Sequence, residues 1–314
     1  MNDVDVRGPH AWIPVESARD ELLARFLDRL WRRYRERVPY VRIYEELIAS
    51  HGGTFVNDHI AFRTLACQQP FCGIPSLSRL FEAFGYEAAG CYQFPDKHLS
   101  AIHLQHPNGL FPKLFISELQ MGKLPAEIRR PLRKSLQTHR PALSDELLDR
   151  VATPDSRDLE LLQLCTDWIE TLPWAPPEES DLLAVNAASQ YGAWVLGHGY
   201  NVNHFTALIN SQNSPALADI EQTVRALQQA GVPVKSEIEG APRSKLRQTA
   251  TSAAAGDITI VQSGRPTIRT WPYAYFELAE RGDIVDSDTG RTRRFQGFLG
   301  SQATQLFEMT RRPQ

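Results

Sequence analysis

Two histidines and two glutamates carry the chemistry to be expected of this 314-residue chain. His59 stands in VNDHIAFRT and His204 in NVNHFTALI, both β-branched and aromatic stretches with the alternation of a strand. Glu118 ends a second kind of strand, FISEL, and Glu277 sits in YFELAERG; Ile116-Ser-Glu-Leu lies without gaps on Tyr275-Phe-Glu-Leu. Glu118 follows His59 by 59 residues and Glu277 follows His204 by 73, so the second half has room for an extra loop of about 14 residues. A single histidine or glutamate on a strand is most often a satisfied polar residue. Recurrence of the same pair in both halves is what makes a metal site the better reading. Imidazole and carboxylate donors suit Fe(II), Mn(II), Co(II), Ni(II) or Zn(II), and two histidines with one carboxylate can leave positions open for O2 and a chelating substrate. The spacing leaves open whether three or all four residues bind.

The elements that would carry these residues follow from periodicity. Residues 1–50 read as a helical segment, with Leu22, Leu23, Phe26, Leu27, Leu30 and Trp31 on one stripe. Arg32, Arg33, Arg35 and Arg37 beside it read as a solvated basic face. Residues 51–120 form a first strand-helix-strands unit: the His59 strand, a helix SLSRLFEAFGYEAAG, then strands near HLSAIHLQHP and FPKLFISEL with a turn at Asn108-Gly109. Residues 121–200 read as a helical insert broken by prolines at 125, 131, 141 and 154. Residues 201–314 repeat the first order, with strand YNVNHFTALIN, helix SPALADIEQTVRALQQAG, and strand candidates VPVKSEIEG, DITIVQS and TWPYAYFELAERG. The helical insert is expected to cover the open side of the sheet and keep water from the site.

Composition narrows the function classes. Lys and Arg number 34 against 37 Asp and Glu, a formal net charge of −3, without the basic excess of a nucleic-acid binder. No apolar run approaches the roughly 20 residues that span a bilayer. The opening MNDVDVRGPHAWIP lacks the basic start and apolar stretch of a signal peptide, so a cytoplasmic location is expected. Four cysteines do not make a disulfide scaffold, and Cys67-x4-Cys72 lacks a partner pair for zinc. No GxGxxG, GK[ST] or GxSxG is present. Gly197 and Gly199 around His198 read as a close approach to the sheet, and His98, His103 and His106, though close in sequence, do not read as a second metal site, because 103 and 106 would face opposite sides of a strand.

The stretches NDHIAFRTL, VNHFTALIN, KLRQTAT, YAYFELAERG and FQGFLGSQATQLFE together resemble the 2-oxoadipate dioxygenase/decarboxylase (hydroxyglutarate synthase) family, over about residues 40 to 310. The resemblance implies an α+β fold related to the vicinal-oxygen-chelate enzymes: a duplicated βαβββ unit whose curved mixed sheet surrounds a metal site, with added helices, compact as one domain. It implies Fe(II) and O2 chemistry that converts 2-oxoadipate to 2-hydroxyglutarate and CO2 in lysine breakdown. It implies metal ligands at His59, His204 and Glu277, and a substrate-carboxylate arginine at Arg63. Arg63 follows His59 by four residues, so a regular strand points both to one face about 13 Å apart, and its planar fork suits a carboxylate. Ser244–Thr251 reads either as a flap in which Gln248 contacts substrate or as solvated loop charge, and Ser301, in a closing Gly300-Ser301-Gln302 that departs from the long members of the family, is a further substrate contact. The expected partners are a small 2-oxo dicarboxylate and O2, with no nucleic acid or membrane, and a monomer or homodimer. Two rivals remain at this point. If Glu118 joins the other three, the closed four-ligand set resembles glyoxalase-type lyases and isomerases, which use the metal as a Lewis acid without O2. A protein that binds a dicarboxylate without turnover is the other.

Overall fold

In the computed structural model, residues 8–155, 158–286 and 290–299 are described. The chain opens with helices α1 (Ala18–Arg37) and α2 (Tyr40–Ser50). Ser17 caps α1 by accepting the Asp20 N–H, and acids in the first turn with arginines in the last suit the helix dipole. The apolar stripe of α1 is buried throughout. Its Trp31 stacks on Phe55 at 4.5 Å and meets Phe205 edge-on at 4.9 Å, while Tyr44 of α2 lies 4.9 Å from Phe276. These aromatic contacts fasten both helices to the back of the sheet.

The first module follows: β1 (Asn57–Leu65), α3 (Ile74–Ala83), β2 (Glu87–Phe94), β3 (Leu99–Gln105) and β4 (Lys113–Leu119). Helices α4 (Ala126–Leu136), α5 (Asp145–Ala152), α6 (Leu159–Glu170), α7 (Glu179–Ala188) and α8 (Gln190–His198) come next. The second module contains β5 (Val202–Leu208), α9 (Ile220–Gln229), β6 (Leu246–Ala250), β7 (Ala255–Gln262), β8 (Arg265–Pro272) and β9 (Glu277–Arg281). A small hairpin, β10 (Asp283–Val285) and β11 (Thr292–Arg294), ends the described chain. No helix among the described residues is long and apolar enough to cross a membrane.

Seven strands form one mixed sheet in the order β2-β3-β4-β1-β5-β9-β6. At its centre β1 and β5 run antiparallel, and each pairs on its other side, in parallel, with the last strand of its own module. The central register sets Ile60 opposite Phe205, Ala61 opposite His204 and His59 opposite Thr206. That register is what a twofold axis through the Ile60–Phe205 pair produces, with His59 and His204 as equivalents. The fold is therefore α+β and duplicated, as expected. The extra length of the second half is the β7–β8 hairpin, a separate two-stranded sheet.

Four expectations need correction. The end of SLSRLFEAFGYEAAG is β2 rather than helix; this edge strand is largely exposed and shows no apolar alternation to read. VPVKSEIEG forms no strand, only isolated bridges from Val234 to Thr251 and from Glu239 to Gln248. KLRQTAT is not a flap, because Leu246–Ala250 is a fully buried strand of the main sheet whose polar side chains find partners inside. Pro131 lies within α4 rather than ending it. Of the glycines beside His198, Gly197 makes the expected close approach to a strand, where a Cβ would press on Ile258 of β7 at 3.1 Å, whereas Gly199, at φ +64°, would press at 2.5 Å on Pro173, which lies in a connection rather than a strand.

Candidate metal centre

Among the described residues, one trio of metal-ligating side chains converges: His59 on β1, His204 on β5 and Glu277 at the start of β9, with donor atoms within 4.8 Å of one another. His59 Nε2 lies 3.4 Å from Glu277 Oε1, His204 Nε2 lies 3.3 Å from Oε2, and the two Nε2 atoms are 3.4 Å apart. Each histidine has its other nitrogen engaged. His59 Nδ1 is 2.8 Å from Asp58 Oδ2 and His204 Nδ1 is 3.1 Å from Asn203 Oδ1, which assigns the proton to Nδ1 and leaves both Nε2 lone pairs facing one point. Thr206 Oγ1, 3.0 Å from His59 Nε2, is the other polar neighbour there.

Both oxygens of Glu277 are buried, with no hydrogen-bond donor among the described residues. Burial pushes its carboxyl well up, and the nearby acids Glu239 and Asp58 add to this. Burial pushes His204 well down, with His59 and Arg63 adding, and lowers His59 although Asp58 opposes it. Two neutral imidazoles and an undonated carboxylate around one point fit a divalent cation, since an ion about 2.1 Å from each donor spans such a triangle.

Local backbone irregularity aims these groups. In the β1–β5 ladder the pairing steps from Asn57–Ala207 to His59–Thr206, and from Ala61–His204 to Phe62–Val202. Asp58 and Asn203 are thus each the extra residue of a bulge, at twofold-related places. A bulge re-aims a side chain that regular alternation would send to the opposite face, so each reaches the histidine that follows it. Asp58 is in turn gripped by Arg281, whose Nε and Nη2 donate to its two oxygens at 2.5 and 2.8 Å. Burial alone would raise the Asp58 carboxyl; Arg281, with His59, outweighs that and holds it well below the usual range. Sequence reasoning missed Asp58, Asn203 and Arg281. The signal was present for the first two, in the matching VNDH and NVNH.

A cavity opens beside the trio, and Arg63, Gln248 and Tyr275 line it with them. His59, Ala61 and Arg63 of β1 all face it, as the even spacing requires. Arg63 is 2 % exposed, with its guanidinium over the rings of Tyr191 and Trp194 of α8 at 4.9 and 5.3 Å. The helical insert thus backs the arginine. Gln248 reaches the cavity from β6 and donates to Glu239 Oε2 at 2.9 Å. Phe298 and Leu299 complete the lining. Ser301, with the rest of Gly300-Ser301-Gln302, lies outside the described residues.

Glu118 does not join the trio. Its Oε2 accepts the Ile74 N–H at 2.8 Å, at the start of α3, while its neighbour Ser117 faces the cavity. Two residues beyond each equivalent histidine, Ala61 pairs with Phe115 and Thr206 pairs with Glu277. The counterpart of Glu277 is therefore Phe115, three residues before Glu118, and an odd shift along a strand exchanges its faces. The four-ligand reading falls on that geometry.

The family model for 2-oxoadipate dioxygenase/decarboxylase matches residues 26–306. The chain belongs to this family. Two curated 2-oxoadipate dioxygenase/decarboxylases are each 27 % identical to it. The chloroplastic protein of Arabidopsis thaliana aligns over 88 % of this chain and 74 % of its own length, and the chloroplastic/amyloplastic protein of Oryza sativa over 93 % and 79 %. Among solved structures, hydroxyglutarate synthase from Oryza sativa in complex with 2-oxoadipate superposes with a TM-score of 0.77 at 25 % identity, covering 95 % of this chain and 94 % of that one. A glyoxalase-superfamily protein from Ralstonia eutropha gives 0.79 at 20 % identity over 92 % and 90 %, which bears on the fold alone. As a 2-oxoadipate dioxygenase/decarboxylase family member, the chain is an oxidoreductase-type enzyme with a buried site able to hold a metal.

Proposed function

We propose that this enzyme uses Fe(II) and O2 to convert 2-oxoadipate, or a similar 2-oxo acid, to 2-hydroxyglutarate and CO2, a step of lysine breakdown. Carbon and oxygen balance: the six-carbon acid loses C1 as CO2, which keeps that carboxyl's own two oxygens, and both atoms of O2 end in the five-carbon product, one in its new carboxylate and one in its hydroxyl. The observation that carries the reading is the meeting, in one cavity, of a two-histidine, one-carboxylate donor set with a buried arginine. The family match and the 2-oxoadipate complex of the rice relative support the substrate class.

His59, His204 and Glu277 would hold the ion. When bound, the metal supplies a chelation point for the 2-oxo acid and the redox chemistry with O2. The chain supplies orientation and dryness. Arg63, pinned between Tyr191 and Trp194, meets a substrate carboxylate, so that chelation at one end and a charge-assisted clamp fix the acid in one pose. Gln248 and Ser301 are the further substrate contacts. Phe94, Phe115 and Phe298 keep bulk water away, which strengthens the clamp. Because the donors come from both 51–120 and 201–314, these segments act as halves of one unit, with 1–50 and 121–200 as helical additions.

The decisive experiment measures oxygen uptake and product mass with Fe(II)-loaded protein and 2-oxoadipate. Equal uptake of O2 and release of CO2, with 2-hydroxyglutarate formed, is the expected result, and His59→Ala should abolish it. No uptake with any 2-oxo acid by metal-loaded protein would overturn the proposal.

A further inference from the structure

Arg281 follows Glu277 by four residues on β9, so it shares the face of the metal trio, and it is 1 % exposed. Its guanidinium faces two ways. Nε and Nη2 hold Asp58, whose Oδ2 also accepts the His59 Nδ1–H. Nη1 donates to the carbonyls of Phe295 at 3.2 Å and Gly297 at 2.7 Å. The strap Phe295–Leu299 borders the cavity, which its Phe298 and Leu299 line. It is fastened further by the Phe295 N–H on the Gly282 carbonyl, by Gln105 Nε2 on the Gln296 carbonyl at 3.3 Å, and by the Phe298 N–H on the Tyr92 hydroxyl at 3.1 Å. The Phe298 ring lies under Arg281 at 5.3 Å and edge-on to His59 at 4.8 Å.

We propose that Arg281 is a positioning residue that couples closure of the strap over the cavity to the aim of His59 at the metal. The inference rests on the metal reading above, but on neither the substrate nor the reaction. Each donor of a buried guanidinium that is left dry and unpaired is costly. Release of the strap strips Nη1 of both carbonyls and frees the guanidinium to turn, which loosens Asp58 and with it the His59 ring. Loss of the Asp58 carboxylate removes the anchor that holds Nη1 against the strap. Coupling of this kind is reciprocal by thermodynamic necessity. Lysine keeps the charge but lacks the planar fork, so it cannot serve a carboxylate and two carbonyls together.

The test uses the full chain with Co(II) as the metal probe, and amide hydrogen exchange at Phe295 and Phe298 in metal-free protein. Asp58→Asn contacts no strap residue, yet should speed exchange at both amides about tenfold. Tyr92→Phe contacts no metal ligand, yet should weaken Co(II) binding severalfold. Arg281→Lys should do both, weakening Co(II) by the roughly 10–100-fold typical of a ligand's supporting residues, and in that background neither other substitution should add its cross effect. Asp58→Asn that weakens Co(II) binding but leaves strap exchange as in the wild type would overturn the coupling. So would Tyr92→Phe that frees the strap and leaves Co(II) affinity unchanged. These readouts need neither 2-oxo acid nor O2, so the coupling can stand if oxygen uptake fails. Wild-type protein that binds no Co(II) sinks both.

Discussion

Arg63 is the residue whose replacement reports on substrate most directly. With its guanidinium buried against Tyr191 and Trp194, Arg63→Ala removes a charge-assisted bond of about 2 kcal/mol, roughly a 30-fold loss in kcat/KM. The loss is expected for 2-oxo dicarboxylates; steady-state kinetics with a 2-oxo monocarboxylate of equal length should show little change, and an equal loss would argue against the clamp. His59 and His204 were legible as matched strand histidines, whereas the choice of Glu277 over Glu118 and the role of Arg63 came from the family resemblance, because the gapless match of the two glutamates is not the pairing the sheet makes. Asp58 and Asn203 were hidden by the alternation rule itself, since neighbours on a strand face opposite ways unless a bulge intervenes. Arg281, in AERG, reads as ordinary surface charge, and only the fold shows that it is buried.

Elements with strong periodicity were readable, and those at sheet edges were not. The α1 stripe and the paired strands β1 and β5 stand out because their burial is one-sided or complete. β2 and residues 234–239, at opposite edges, bury too little to leave a pattern. β6 failed for a different reason: Arg247 pairs with Glu221 and Glu280, and Gln248 with Glu239, so a buried strand has the composition of a loop. The β7–β8 hairpin allows a test of separateness. Gln262 pairs with Arg265 across a two-residue turn in which Ser263 and Gly264 have φ of +50° and +74°, the geometry that favours glycine. Gly264→Ala should cost about 1 kcal/mol of stability, seen as a lower Tm, while Co(II) affinity stays unchanged because the hairpin stands outside the main sheet.

Across the whole molecule, acid sensitivity follows from histidines buried neutral. His198 on α8 is pushed down to about 4 by burial, although the Pro272 carbonyl beside its Nε2 opposes the shift. In the unfolded chain it titrates near 6.5. Between about pH 4 and 6.5 the unfolded state therefore binds one more proton, and stability rises with pH in that window by up to about 1.4 kcal/mol per unit. Urea midpoints of the wild type and His198→Gln across that range should show the slope reduced in the variant; parallel curves would remove His198 from the account.

The twofold relation between the modules also says something about ancestry. Phe115 occupies the place that Glu277 holds in the other half, and its ring lines the same cavity. Two copies of one unit have diverged at this corner, one keeping a ligand and the other hydrocarbon. Phe115→Glu would restore the symmetric cage. It is expected to tighten Co(II) binding at least tenfold and to extinguish oxygen uptake, while an unchanged Co(II) spectrum would mean that the internal symmetry ends at the backbone. A single substitution would then separate oxygen chemistry from the Lewis-acid reactivity of a closed coordination shell, which makes this corner a crossroads in the diversification of the fold.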